Sequence, residues 1–397
     1  MGSISVPVLV IPILAVVAPL LAALVGRVAA IPLVVFEIVL GIIVGPSGFG
    51  WVPHSSFVDG LADLGLAMLF FMAGSEIDFG AIKGRPIRRA SLGWLISLAL
   101  ATVIGIVGPG SLDAGIFIGI ALSSTALGTL IPILRDEREL GTPFGRAVVA
   151  VGAAGEFGPL VAMSLFLGGR NPGLSTVVLV AFVVLTVVAI WLAGRTDHRS
   201  IDSLVQTTLH TSGQFAVRLV IMVITVLATV AMLFELDMPL GAFAAGVLWQ
   251  VLVRHTDHAQ REQIESKVEA VGFGFLVPIF FINTGITFDL RALLADTTSL
   301  VLVPAFLLVM LVVRGVPGLL SAPPGATMRD RRALVLFTAT GLPIIVAVTK
   351  IGQTVGVISP SLAAALVGAG MLSVLLFPLI ALSQRRMPRI RTVIDDG

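Results

Sequence analysis

The stretches FFMAGSEID at residues 70–78 and FFINTGITFD at residues 280–289 are two versions of one pattern. In each, a Phe pair (Phe70-Phe71, Phe280-Phe281) precedes a glycine (Gly74, Gly285) that stands four residues before an aspartate (Asp78, Asp289). Both patterns close long apolar segments. The segment just upstream of each opens with Pro-Leu (Pro32-Leu33, Pro239-Leu240), a weaker echo of the same repeat.

The composition explains what kind of unit is repeated. Of 397 residues, 57% are hydrophobic and 12% are charged, about half the roughly 25% charged fraction of a soluble chain. A water-soluble core cannot hide that much apolar surface, so lipid is the solvent. A cytosolic enzyme, a nucleic-acid partner and a disordered tail are excluded. The chain has no cysteine, which removes disulfides, iron–sulfur clusters and thiolate metal sites. No cofactor is expected.

A spanning helix needs about 20 mostly apolar residues. Runs of that kind between charged or Pro/Gly-rich breaks fall at 5–26, 31–48, 57–75, 89–108, 113–134, 144–168, 174–194, 217–234, 237–253, 270–288, 298–320, 332–350 and 358–382. These thirteen spans predict an all-α polytopic membrane protein. With the N-terminus outside, all but four of the 25 Lys and Arg fall in inner loops or the C-terminal tail. Outer loops hold only Arg170, Arg291 and Lys350, and Arg314 lies within a span. The positive-inside rule therefore places the C-terminus in the cytoplasm. The loop from Arg195 to Ala216 is partly amphipathic and reads as an interfacial helix. Two six-helix units joined by a single linking seventh helix must enter from opposite sides, so the repeat is inverted, as in secondary transporters.

Ionisable groups within spans are costly and mark function. Glu156 lies near the middle of the sixth span, in AVVAVGAAGEFGPLVAMSLFL. Burial disfavours its charge, so it can hold a proton and yield it to a cation, serving as proton site and cation site in turn. Pro159 and the glycines Gly152, Gly155 and Gly158 surround it, allowing close helix approach. The fifth span carries Ser123, Ser124 and Thr125 at its centre, followed by Gly128 and Pro132. Three adjacent hydroxyls there suit an unwound segment offering oxygens to a desolvated cation; hydroxyls bonded back to their own helix are the alternative. The twelfth span has a matching interruption at Thr338, Thr340, Gly341 and Pro343. Arg314 in the eleventh span keeps its charge at working pH. It either balances charge in the core or snorkels to the headgroups some six residues away. Glu37 in the second span reads as a packing or interface residue rather than an ion ligand, and the five histidines as solvated loop residues.

These motifs resemble the monovalent cation:proton antiporter superfamily, in the branch with bacterial sodium/proton antiporters and Kef-type potassium efflux proteins. PLVVFEIVLGIIVGPSGFGW, LADLGLAMLFFMAGSEID, ALSSTALGTLIPIL, GRAVVAVGAAGE and VPIFFINTGITFDL are similar to signatures of its second, third, fifth, sixth and tenth helices. The resemblance implies a homodimer in a cell membrane whose two unwound helices, the fifth and twelfth, cross near the ion site. It implies dimerisation helices at 1–88 and 217–292, core helices at 89–170 and 293–384, a linker helix and loop at 171–216, and a basic cytosolic tail at 385–397. Where many relatives carry Asn-Asp, Asp-Asp or Gln-Asp, this chain has Gly155-Glu156, so Gly155 offers no side-chain ligand beside the carboxylate.

The expected activity is antiport of Na+ or K+ against H+, with Glu156 holding the transported ion. One titratable carboxylate in the core predicts a one-for-one, electroneutral cycle. A gated potassium efflux pathway acting with a separate regulatory subunit is the other transport reading, weakened because no nucleotide-binding segment follows the last span. An intramembrane hydrolase lacks a midplane His or Lys to act as base.

Overall fold

A computed structural model describes residues 2–25, 31–77, 84–108, 111–167, 172–195, 214–253, 258–295 and 297–385. Asp78, the amphipathic stretch after Arg195 and the basic tail from Arg386 lie outside them. Among the described residues the secondary structure is entirely helical. In chain order the helices are α1 (Gly2–Val25), α2 (Leu33–Val44), α3 (Ser56–Ser75), α4 (Arg85–Val107), α5 (Leu112–Leu122), α6 (Leu127–Asp136), α7 (Pro143–Phe166), α8 (Pro172–Arg195) and α9 (Phe215–Leu233). They continue with α10 (Met238–Leu252), α11 (His258–Val271), α12 (Val277–Thr287), α13 (Leu290–Ala295), α14 (Thr297–Val309), α15 (Met328–Thr338), α16 (Pro343–Thr354) and α17 (Pro360–Arg385).

Ten helical segments are long and apolar enough to cross a bilayer, and three shorter apolar helices, at Leu33–Val44, Gly173–Ala189 and Met238–Leu252, bring the described set to thirteen. Two differences from the expected spans have local causes. The second span stops at Val44 because Gly45 and Pro46 follow it. The tenth begins well before residue 270: α11 is polar, yet it buries Ile264 and Val268 and carries an Arg261–Glu265 pair one turn apart. It runs through a π-helical turn, Gly272–Leu276, into α12. A second wide turn, Met310–Gly315, carries α14 onward to Ser321.

The recurring glycines explain the packing. Gly74 of α3 lies against the backbone carbonyl of Phe243 in α10, and Gly246 of α10 against that of Phe71 in α3. Gly285 of α12 lies against the carbonyl of Ile38 in α2, and Gly41 of α2 against that of Ile282. A methyl group at any of the four would overlap backbone. Each half of the repeat thus docks its Phe-Phe-Gly helix onto the Pro-Leu helix of the other half, as inverted units require.

Two spans are broken. The fifth stops after α5, is non-helical through Ser123–Ala126 and resumes as α6; the twelfth stops after α15, crosses Ala339–Leu342 and resumes as α16 with Pro343 in its first turn. Pro cannot continue the ladder of the preceding helix. The two breaks meet: Ala126 N–H donates to the Thr340 carbonyl at 2.8 Å, and the Thr125 hydroxyl to the Thr338 carbonyl at 2.6 Å. Around this crossing pack α4, α7, α14 and α17, while α2, α3, α9, α10 and α12 pack chiefly on one another. Ion pairs tie the two groups near both ends of α3. Arg135 of α6 holds Glu76 at 2.7 Å and Glu269 of α11 at 2.9 Å, and Lys350 of α16 holds Asp63 at 3.0 Å.

Candidate ion and proton site

Glu156 lies near the middle of the 24-residue α7 and is 1% exposed. Its carboxyl accepts from the backbone N–H groups of Leu127 and Gly128, the first turn of α6. Those amides have no partner inside their own helix, and they form the positive end of the helix dipole. Break and acid are therefore one construction: unwinding Ser123–Ala126 frees the donors that face Glu156. The second carboxyl oxygen, Oε2, is fully buried without a hydrogen-bond partner.

The three glycines around Glu156 each make room for a different neighbour. A methyl group at Gly152 would press on the Leu127 side chain, and one at Gly158 would overlap the ring of Trp94 from α4. At Gly155 it would overlap Nη2 of Arg314 and stand 2.7 Å from Thr125 Oγ1. The glycine that offers no ligand is the space into which a cation is inserted.

Arg314 does not snorkel. It is 0% exposed, on the wide turn of the eleventh span. Its Nε donates to Thr125 Oγ1 at 2.8 Å and its Nη2 to the Val151 carbonyl at 2.9 Å, while Nη1 is buried without a partner. It makes no ion pair with Glu156. The Thr125 hydroxyl relays the guanidinium to the Thr338 carbonyl at the end of α15, the negative end of that helix dipole. The acid thus sits on a helix start and the base beside a helix end, each charge opposite a half-helix terminus.

The serine hydroxyls behave as the alternative reading describes. Ser123 donates to the Ile120 carbonyl at 3.1 Å and Ser124 to Ala121 at 2.7 Å, both in α5. Only their lone pairs remain for a ligand. Thr338 and Thr340 likewise donate back to Leu334 and Leu336. Thr125 is the member of the triplet that bridges elements: its N–H donates to the Gly155 carbonyl at 2.8 Å. Gly341 is held by a residue the sequence reading passed over, Ser373 of α17, whose hydroxyl accepts from the Gly341 N–H at 3.1 Å. The sequence signal for Ser373 was only a lone hydroxyl in an apolar run.

Two crevices open beside Arg135. One, of about 420 Å³, is lined by Glu76, Arg135, Arg261 and Glu269; the other, of about 460 Å³, reaches Glu37, Gly128 and Thr129. At the Lys350 end a cavity of about 320 Å³ is lined by Asp59, Asp63, Asn283 and Asp289. Outside the spans, burial raises the Glu76 carboxyl against the opposing pull of Arg135. Burial also pushes Asp237, ahead of α10, up to about 6, the nearby Ser164 hydroxyl acting the other way. Among the described residues no group of three or more His, Asp or Glu is placed to hold a metal ion.

The sequence model of the family described as sodium/hydrogen exchanger, transmembrane, matches residues 13–382. The chain belongs to that family. This exchanger-family chain is 28% identical over 375 residues to YjbQ of Bacillus subtilis, a candidate Na+/H+ antiporter; the match covers 88% of this chain and 58% of that protein. It is 27% identical over 278 residues to the Na+/H+-K+ antiporter GerN of Bacillus cereus, covering 65% and 66% of the two chains. The fold matches the sodium proton antiporter MjNhaP1 of Methanocaldococcus jannaschii with a TM-score of 0.67 at 16% identity, over 95% of this chain and 98% of that one.

Proposed function

We propose that this membrane protein exchanges a monovalent cation, Na+ or K+, for H+ by alternating access around Glu156. The observation that carries the reading is Glu156 itself, a buried carboxyl with one oxygen on the amides of a broken helix and the other without a partner. The names of its relatives support cation/proton exchange, and GerN's name adds K+ as a cargo.

The chemistry follows from charge. A proton or a cation on Glu156 leaves the same net charge at the site, so either loaded form can cross while the bare carboxylate, costly away from water, is held back. Arg314, tied to Thr125 and Val151, is a fixed positive charge that balances the buried dipoles without carrying a proton. Lone pairs of Ser123 and Ser124 and the carbonyls freed at the two breaks supply oxygens of the kind a hard cation prefers. The group around the crossing (89–170 and 293–384) moves as a core against the remaining helices (1–88 and 217–292), which form the dimer contact. Arg135 faces the cytoplasm and Lys350 the outside. One carboxylate exchanges one proton for one cation, so the membrane potential, worth about 2.3 kcal/mol per elementary charge per 100 mV, has no leverage.

The test is dequenching of a lumenal pH dye in proteoliposomes with Li+, Na+, K+ and Rb+, comparing wild type with Glu156→Gln. Exchange should vanish in the variant while it melts normally, and solid-supported membranes should record no sustained current from wild type. Near-normal exchange by a folded Glu156→Gln protein would place the site elsewhere. Sustained current would demand a second translocated proton.

A further inference from the structure

Glu37 is 3% exposed on the packed face of α2, with Val34, Ile38 and Gly41. No hydrogen-bond donor among the described residues is paired with it. It was read above as a packing residue, yet packing alone is a poor reason for a carboxyl there: burying one without a partner costs several kcal/mol, and an apolar side chain would fill the space. The space in front of it is specific. Glu37 lines a crevice of about 460 Å³ together with Gly128, Thr129 and Pro132 of α6. Gly128 is one of the two residues whose amides hold Glu156. The other charged groups lining the crevice are Arg135, Glu137 and Glu269. One crevice thus holds the Glu37 carboxyl of one helix group together with the α6 turn that binds Glu156 in the other.

We propose that Glu37 is a cation-staging carboxylate: it receives the monovalent cation entering from the Arg135 face and delivers it past Thr129 to Glu156. The inference rests on the exchange reading above. α2 packs chiefly with α12 and α1 rather than around the crossing, so Glu37 stays behind when the core moves, and the one-for-one cycle is preserved. With three carboxylates against one guanidinium on the crevice lining, its effect is local enrichment of the cation, on the order of tenfold for a predominantly acidic cleft.

The test uses the full chain in proteoliposomes of fixed orientation, with Na+ and K+ supplied to one face at a time. Glu37→Gln should raise the apparent KM about tenfold for cation supplied at the Arg135 face. The maximal rate should stay within about twofold and the KM at the Lys350 face should not change; Glu37→Asp should restore much of the loss. An unchanged KM at the Arg135 face, or an equal rise at both faces, overturns the proposal, the latter because it marks general packing damage. A measurement that leaves Glu37 in place guards against a misfolded variant. Thr129→Cys, in a chain without native cysteine, should react with a cationic thiol reagent from the Arg135 face only, and Na+ should slow that reaction severalfold. Labelling indifferent to Na+ also overturns it. Because Glu156→Gln abolishes exchange without touching the crevice, Na+ protection persisting in that background separates failure of the staging role from failure of the Glu156 reading.

Discussion

Gly155→Ala sets two physical rules against each other. In a helix interior, Ala is favoured over Gly by about 1 kcal/mol, so on backbone grounds alone the change stabilises α7. The site says the opposite. The new methyl group would overlap Arg314 Nη2 and press on Thr125 Oγ1, itself fixed by the Thr338 carbonyl. The guanidinium is fully buried and has no solvent to swing into. Withdrawing it breaks the bonds to Thr125 and Val151, each worth about 1.5–3 kcal/mol for a charged donor. The net expectation is a loss of about 2–5 kcal/mol and of most exchange activity, read by thermal melting and by dye dequenching. A double-mutant cycle isolates the cause. Arg314→Met empties the space beside Gly155, so in that background Gly155→Ala should be neutral or stabilising by about 1 kcal/mol. A Gly155→Ala protein that melts at or above wild type with normal exchange would refute the argument, as would the same destabilisation in both backgrounds.

Other perturbations separate parts of the site. Thr125→Val leaves Arg314 Nε without its acceptor and should cost about 1.5–3 kcal/mol, whereas Thr125→Ser should melt and transport nearly as wild type; equal melting of the two would show that the hydroxyl is dispensable. Arg135→Gln removes two half-exposed ion pairs worth about 0.2–1 kcal/mol each, so melting should hardly move, but a cysteine introduced at Val161 should change in how readily each face labels it. No change in that label would deny the pairs any part in the conformational balance. Asp237 titrates near 6 in the fold against about 3.9 in an unfolded chain. The folded state therefore binds the proton more tightly, and the stability it contributes, up to about 3 kcal/mol, is complete below pH 4 and is lost as pH rises through 6. Asp237→Asn should flatten the fall in melting temperature between pH 4 and 7, and an unaltered slope would assign that fall to other groups.

Much of this was legible in the sequence because lipid leaves the chain few choices. Every span needs its run of apolar residues, so thirteen such runs could be counted, and a Glu in the middle of one could hardly be incidental. Hydroxyl-Gly-Pro clusters at Ser123–Pro132 and Thr338–Pro343 marked the breaks because nothing else interrupts a membrane helix so abruptly. What stayed hidden was lateral position. Arg314 is close enough to the end of its span to reach the headgroups, and only the wide turn at Met310–Gly315, which hydropathy does not register, turns it inward. Gly155 read as a missing ligand because its occupant comes from a residue 159 positions away in the chain. Glu37 read as packing because a single helix does not reveal which of its neighbours is a crevice. The polar helix α11 was missed because its burial is confined to a narrow stripe.

The crossed glycine contacts also bear on how the molecule is made. Gly74 meets Phe243, and Ile38 meets Gly285, only after about 170 and 250 further residues have been synthesised. At roughly 5–20 residues per second, the first pair of bare backbone grooves waits on the order of ten seconds or more in the bilayer before its proper occupant leaves the ribosome. During that interval the closest available match for each groove is the same surface on a neighbouring nascent chain. A first half expressed alone should therefore self-associate, and co-expressing the second half should dissolve those aggregates by supplying the missing ridges.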